Sequence, residues 1–380
     1  MSSAPLTGIR VLDLAPLLPG AFATMWLGDL GADVIKIEAP GGDLTRRLAS
    51  DLTSPAGEND HLGPYFAVVN RNKRSIVLNL KTSAGQAALQ RLAASADILV
   101  EGYRPGVAAR LGADYATLNT LNPRLIYCSI SGFGQEGPYR DAPGHDLTYM
   151  ALAGILGLNR TAGQAPHPLP VQVADIGGGA MPALTAILAA LYHRERTGVG
   201  QQIDVALLDG ALSWLCFALA LAQQPDIADA TRTMLTGGAL SYNVYETADE
   251  RYLAVGALEP HFWAAVCEII GRPELAGLGG NPEPGAAARL DGLRATFRSR
   301  TLAEWTARLD PQRTACAPVN SLEEMLADPQ VVYRGILVGG QPAQIAFPAR
   351  LSSTPASIRR PPPRLGEHSE EILREIGMVS

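Results

Sequence analysis

Between residues 9 and 205 short runs rich in Val, Ile and Leu alternate with stretches of helix-forming residues, and this alternation admits little except a parallel sheet covered by helices. Parallel neighbours need a long crossover, which a helix supplies. Strands are predicted at 9–14, 33–37, 75–80, 98–101, 125–131 and 202–205. Crossover helices are predicted at 22–30, 82–94 and 180–194, with an apolar helix over 209–222. The expected fold is α/β, with an open, Rossmann-like parallel sheet. The first strand is followed by Ala15-Pro16-Leu17-Leu18-Pro19-Gly20 instead of G-x-G-x-x-G, so no dinucleotide cofactor is expected.

The texture changes after residue 223. Segments 242–247 and 252–255 predict a hairpin, followed by helices at 260–270, 285–298 and 302–309. A short apolar run from 317, a helix at 321–327, the stretch Arg360-Pro361-Pro362-Pro363 and a last helix at 369–376 complete the chain. The expected organisation is a large α/β domain over 1–224, a smaller α+β domain over 225–316, and a C-terminal segment, 317–380, that returns to the large domain.

Composition sets the remaining bounds. The chain is 47% apolar and 18% charged, a globular balance. Its net charge is -6 and like charges do not cluster in runs, which argues against a nucleic-acid partner and against a basic membrane patch. The apolar segment 211–222 is shorter than the roughly 20 residues that span a bilayer. The N-terminus has no basic stretch leading into an apolar core, so no signal peptide is expected. Cys128, Cys216, Cys267 and Cys316 are far apart and lack metal-site spacing, which predicts reduced core thiols in a cytoplasmic protein with no bound metal. Trp214 and Trp263, in apolar helical surroundings, are expected in the core.

Three ionisable groups stand at the ends of predicted elements. His145, in Gly144-His145-Asp146, is a candidate base, because an imidazole changes charge near neutrality and a carboxylate neighbour orients it. Asp175 precedes Ile176-Gly177-Gly178-Gly179 and an apolar helix, the place of an N-cap, where free N–H groups and the helix dipole converge. Glu259 lies just before the helix predicted from Pro260. Together they indicate acid–base chemistry of unspecified purpose. Arg71, Lys73 and Arg74 form a local basic cluster, read equally well as a ligand contact or a solvated loop.

An ordered series of motifs then points further. It comprises Gly8-Ile9-Arg10-Val11-Leu12-Asp13, Leu30-Gly31-Ala32-Asp33-Val34-Ile35-Lys36, and Lys73-Arg74-Ser75-Ile76-Val77-Leu78-Asn79-Leu80-Lys81. Glu101-Gly102-Tyr103-Arg104-Pro105-Gly106-Val107 and Ser131-Gly132-Phe133-Gly134-Gln135 follow. Over nearly its whole length the chain resembles the family that joins α-methylacyl-CoA racemases to class III CoA-transferases of the carnitine dehydratase type. At the active site it is similar to the racemases, in Gly144-His145-Asp146, in Ala174-Asp175-Ile176-Gly177-Gly178-Gly179, and in Val255-Gly256-Ala257-Leu258-Glu259-Pro260-His261-Phe262. Transferases keep the Asp and usually replace that Glu.

The resemblance implies inversion of the α-carbon of a 2-methyl-branched acyl-CoA by two bases, His145 and Asp175, through an enolate. Glu259 would polarise His145, and the N–H groups after Asp175 would face the enolate oxygen. The alternative is a CoA-transferase in which Asp175 attacks an acyl-CoA, and a third possibility is a CoA-binding protein without activity. For CoA the resemblance implies Val77, Leu78, Asn79 and Leu80, Arg104, and the loop Gly144, Asp146, Leu147, Thr148 and Tyr149. CoA enters as part of the substrate, and no other cofactor is implied. One departure is Ala39, where relatives commonly carry Arg, with Arg46 or Arg47 as replacements. The family also implies an interlocked homodimer.

Overall fold

The computed structural model describes residues 4–48, 62–160, 164–224, 233–280, 285–339 and 343–379. The chain divides into two compact units: Met1–Leu156 with Pro168–Trp214 and Val332–Ser380, and Gly157–His167 with Leu215–Val331.

The first unit is built on six parallel strands: β1 (Arg10–Leu14), β2 (Asp33–Glu38), β3 (Lys73–Val77), β4 (Ile98–Glu101), β5 (Ile126–Ser131) and β6 (Gln202–Ala206). Their order is β3-β2-β1-β4-β5-β6, so the winding reverses between β1 and β4. In open sheets of this kind, ligands bind at that reversal, outside the carboxyl ends of the two strands. Val11, Ile98, Val100, Ile126 and Cys128 face one core layer, while Leu12, Ile35, Ile76 and Leu99 face the other, as expected of strands buried on both sides.

β3 begins two residues before the predicted 75 and ends at Val77. The reason is the basic cluster, which is neither a solvated loop nor a ligand contact. Lys73 lies inside the strand with Nζ 2.8 Å from Asp13 Oδ2, Arg74 pairs with Asp33 at 2.7 Å, and Arg71 pairs with Asp29 at 2.7 Å. All three are buried. Buried charges persist only when paired and hydrogen-bonded, and each of these acids is distant in sequence.

The predicted helix 180–194 starts earlier and ends later: a π-helical stretch, Val173–Ala180, runs into Met181–Thr197. This continuous helix is long and apolar enough to cross a membrane, but Ala174, Ala180, Ala183, Ile187 and Ala190 lie in the core of the unit. The predicted helix 209–222 is two helices, Leu207–Ser213 and Cys216–Ala222, with Trp214 between them 60% exposed and not in the core. Cys216 is likewise exposed, while Cys128, Cys267 and Cys316 are buried free thiols.

In the second unit, β7 (Tyr242–Glu246) and β8 (Tyr252–Gly256) form the expected antiparallel hairpin, and the apolar run near 317 becomes a third strand, β9 (Cys316–Pro318). Tyr245 stacks on Phe297 at 4.4 Å, Phe297 meets Trp305 at 5.5 Å, and Trp263 completes the core.

Candidate active site

The ends of β1 and β4 make one wall of a cavity of about 260 Å³. After β1 the chain turns sharply at Pro16-Leu17, and Leu17 has φ 61, a left-handed conformation unusual for a branched side chain. Buried charges hold that turn: Asp13 Oδ1 accepts from the Ala15 N–H at 3.0 Å, and Lys36 Nζ donates to the Ala15 carbonyl at 2.7 Å. After β4, buried Glu101 accepts from the Tyr103 N–H at 2.7 Å and presents Tyr103 and Arg104 to the cavity. Arg104 is exposed and makes no ion pair among the described residues.

The opposite wall brings together His145, Tyr149 and Asp175. His145 and Asp175 also line a second cavity of about 320 Å³, with Leu147, Met150, Leu156 and Leu169 as its apolar part. His145 precedes the helix Asp146–Leu152, its N–H donating to Thr148 Oγ1 at 2.9 Å. The imidazole is exposed and has no hydrogen bond within the described residues of the first unit.

Asp146 joins the two catalytic candidates. Its Oδ1 accepts from the N–H of Ala174 at 2.7 Å and from that of Asp175 at 3.0 Å. The capping expected of Asp175 is thus performed by Asp146, and Asp175 is part of the helix itself. Of the N–H groups expected to face the enolate oxygen, that of Ile176 already donates to the Gln172 carbonyl at 3.0 Å. The glycine run has a packing cause instead: a Cβ on Gly210 would lie 1.8 Å from the Gly178 carbonyl oxygen, so the π turn and the helix Leu207–Ser213 approach backbone to backbone. Single π turns in longer helices are rare and occur often at functional sites.

Burial, and then the neighbouring Asp146 charge, push the Asp175 carboxyl up to about 7. Burial and the Asp175 charge push the Tyr149 phenol up to about 12, against the opposing effect of Arg104.

The expected CoA residues divide. Gly144, Tyr149 and Arg104 line the cavity that holds both bases; Asp146 and Leu147 line the second cavity, and Thr148 secures the His145 turn. Val77, Leu78, Asn79 and Leu80 line neither. Leu78 and Leu80 are buried in the core, Val77 N–H donates to Ser369 Oγ at 3.2 Å, and the Asn79 carbonyl accepts from Thr82 N–H at 3.0 Å. Ala39 is exposed, and Arg46 does not replace an arginine there: it is buried over the Phe66 ring and paired with Glu38 at 2.7 Å. Glu259 belongs to the second unit, where it is exposed at the start of the helix Pro260–Ile269. Leu17, Tyr103, Ser131 and Arg140 also line the first cavity. Tyr103 and Ser131 fall within the motif series but carry no expected role, and Leu17 and Arg140 lie outside it; the first three follow or end β1, β4 and β5, where the fold class alone places ligands.

These features define a doubly wound α/β protein with a cavity at its switch point that His145 and Asp175 both line. The chain belongs to CoA-transferase family III, whose model matches residues 6–369. It is 37% identical over 395 residues to the succinate–glutarate CoA-transferase of Agrobacterium fabrum, covering 99% of this chain and 96% of that one. It is 36% identical over 389 residues to the α-methylacyl-CoA racemase of Mus musculus, with 98% and 93% covered. Its fold is similar to that of a CaiB/BaiF family protein from Brucella suis, with a TM-score of 0.84, 32% identity, and 99% and 100% of the two chains covered. Racemases and transferases are thus similar to this chain to about the same degree.

Proposed function

We propose that this protein is a racemase or epimerase of 2-methyl-branched acyl-CoA thioesters, working by two-base proton transfer through an enolate. The observation that supports this is that His145 and Asp175 border the same two cavities, with the Asp175 carboxyl raised to about 7. One base takes the α-proton, the C–H electron pair moves into the Cα–C bond, and the carbonyl π pair moves to oxygen. The other base then returns a proton to the opposite face. A carboxyl near 7 is suited to both giving and taking a proton at neutral pH.

CoA enters with the substrate, Arg104 meets one of its anionic groups, and no other cofactor is required. In heavy water, a 2-methylacyl-CoA should gain deuterium at the α-carbon without any added acid acceptor, and His145→Ala should abolish the exchange. Absence of exchange, with transfer of CoA to a free acid, would establish the transferase instead.

We further propose a cytoplasmic homodimer in which Glu259 of a partner subunit polarises His145. Mixed and re-equilibrated His145→Ala and Glu259→Ala chains should then recover roughly a quarter of wild-type activity, because hybrid dimers hold one complete site. If both residues act within one chain, the mixture stays inactive.

A further inference from the structure

The proposed chemistry creates negative charge on the thioester oxygen, and three of the helix N–H groups around Asp175 are occupied. Asp146 takes those of Ala174 and Asp175, and the Gln172 carbonyl takes that of Ile176. A side-chain donor elsewhere in the cavity can add to the backbone. Arg104 lines it but is exposed, suited to an anionic group of the ligand more than to a carbonyl.

Tyr149 has the required properties. It is 5% exposed and lines the cavity with His145 and Asp175, and its hydroxyl has no hydrogen-bond partner among the described residues. Its ring is fixed on three sides. A Cβ on Gly132 or Gly144 would lie 2.6 or 2.5 Å from it, so two backbones press against it, and Phe133 meets it edge to face at 5.3 Å. The elements that bring charge to it are the Asp175 turn and the Arg104 loop.

Resting on the racemase reading, we infer that Tyr149 is a catalytic residue whose hydroxyl donates a hydrogen bond to the thioester oxygen as the enolate forms. The hydroxyl proton stays on Tyr149: no proton is transferred there, and the donor is released when the α-carbon is reprotonated. A rigid, buried donor is effective because it needs little reorganisation as charge develops. Burial keeps the phenol protonated over the working pH range.

The test is Tyr149→Phe, which keeps the ring and its packing and removes only the donor. In α-deuterium exchange, kcat should fall ~10²–10³-fold while KM stays within about threefold, as for loss of an oxyanion donor. The fold-loss should shrink with a 2-aryl thioester, whose enolate is more stable, a dependence that a purely structural role would not produce. An unchanged kcat, a loss confined to KM, or a loss independent of substrate acidity overturns the assignment while leaving the racemase reading intact. A wild-type protein that shows no exchange overturns both.

Discussion

Replacing Asp146 by Asn separates two things that this carboxylate does at once. Its Oδ1 caps the Asp175 turn through bonds of 2.7 and 3.0 Å, and its charge is the second cause, after burial, of the raised Asp175 carboxyl. Asn keeps an acceptor oxygen and removes the charge. The two bonds become neutral ones, which on typical magnitudes costs ~1–2 kcal/mol in total. Asp146→Ala, which loses the cap and leaves two N–H groups without a partner, should cost ~2–4 kcal/mol. Without the adjacent charge, Asp175 ionises more easily, so its carboxyl falls below about 7 while burial still holds it above the ordinary carboxylate value. The assay is the pH profile of α-deuterium exchange beside urea unfolding. The limb belonging to Asp175 should move to lower pH in Asp146→Asn, with kcat at its optimum largely retained. A limb that stays in place or moves upward refutes the electrostatic account, and an unfolding midpoint equal in the Asn and Ala variants refutes the cap.

Other outcomes follow from the same contacts. Burial and the Asp146 charge raise the Asp175 carboxyl from the ordinary 3.8 to about 7, so the folded state binds more protons between those values and loses stability as pH rises through them. Asp175→Asn should therefore match wild type near pH 4 and be more stable near pH 8, by ~1–2 kcal/mol once partial solvent screening is allowed for; equal stability at both pH values would contradict this. Gly210→Ala places a methyl 1.8 Å from the Gly178 carbonyl oxygen and should cost about 3 kcal/mol by overpacking while displacing Asp175, seen as lost exchange in chain that still folds. Lys73→Met leaves Asp13 short of one partner in a fully buried site and should lower unfolding free energy by ~3–5 kcal/mol, measured in urea.

Five of the six sheet strands were readable to within a residue or so, because strands buried on both faces are continuous apolar runs. β3 was misjudged because Lys73 and Arg74 look like loop residues until Asp13 and Asp33 are placed beside them. Of the candidate site, the pairing of His145 with Asp175 was legible, since both line one cavity, whereas Val77–Leu80 and Glu259 do not line it. The local roles of His145 and Asp175 were not legible. Asp175 before three glycines has the pattern of an N-cap, and only the contact from Asp146, remote in sequence, shows that the helix begins earlier. Likewise, nothing in the sequence gives the reason for the glycine run, which is the close passage of another helix at Gly210. Tyr149 was named as a ligand contact, but nothing in the sequence indicates that Gly132 and Gly144 clamp its ring.

The outer edge of the sheet has a consequence for synthesis of the chain. β3 borders β2 on one side only, and on the other its backbone is covered by residues near the C-terminus: His368 N–H donates to the Ser75 carbonyl at 2.9 Å, Asn72 N–H to the Arg360 carbonyl at 3.1 Å, and Arg74 pairs with Glu371 and Glu375 at 2.8 and 2.6 Å. An uncovered strand edge is a template for association with other chains. On the ribosome, this edge waits for nearly three hundred further residues before the segment that covers it is made, and over that interval it is open to association with other chains. A truncation or fusion that disturbs the helix Ser369–Glu375 would prolong that exposure indefinitely, lowering soluble yield even though the cavity lined by His145 and Asp175 lies at the centre of the sheet.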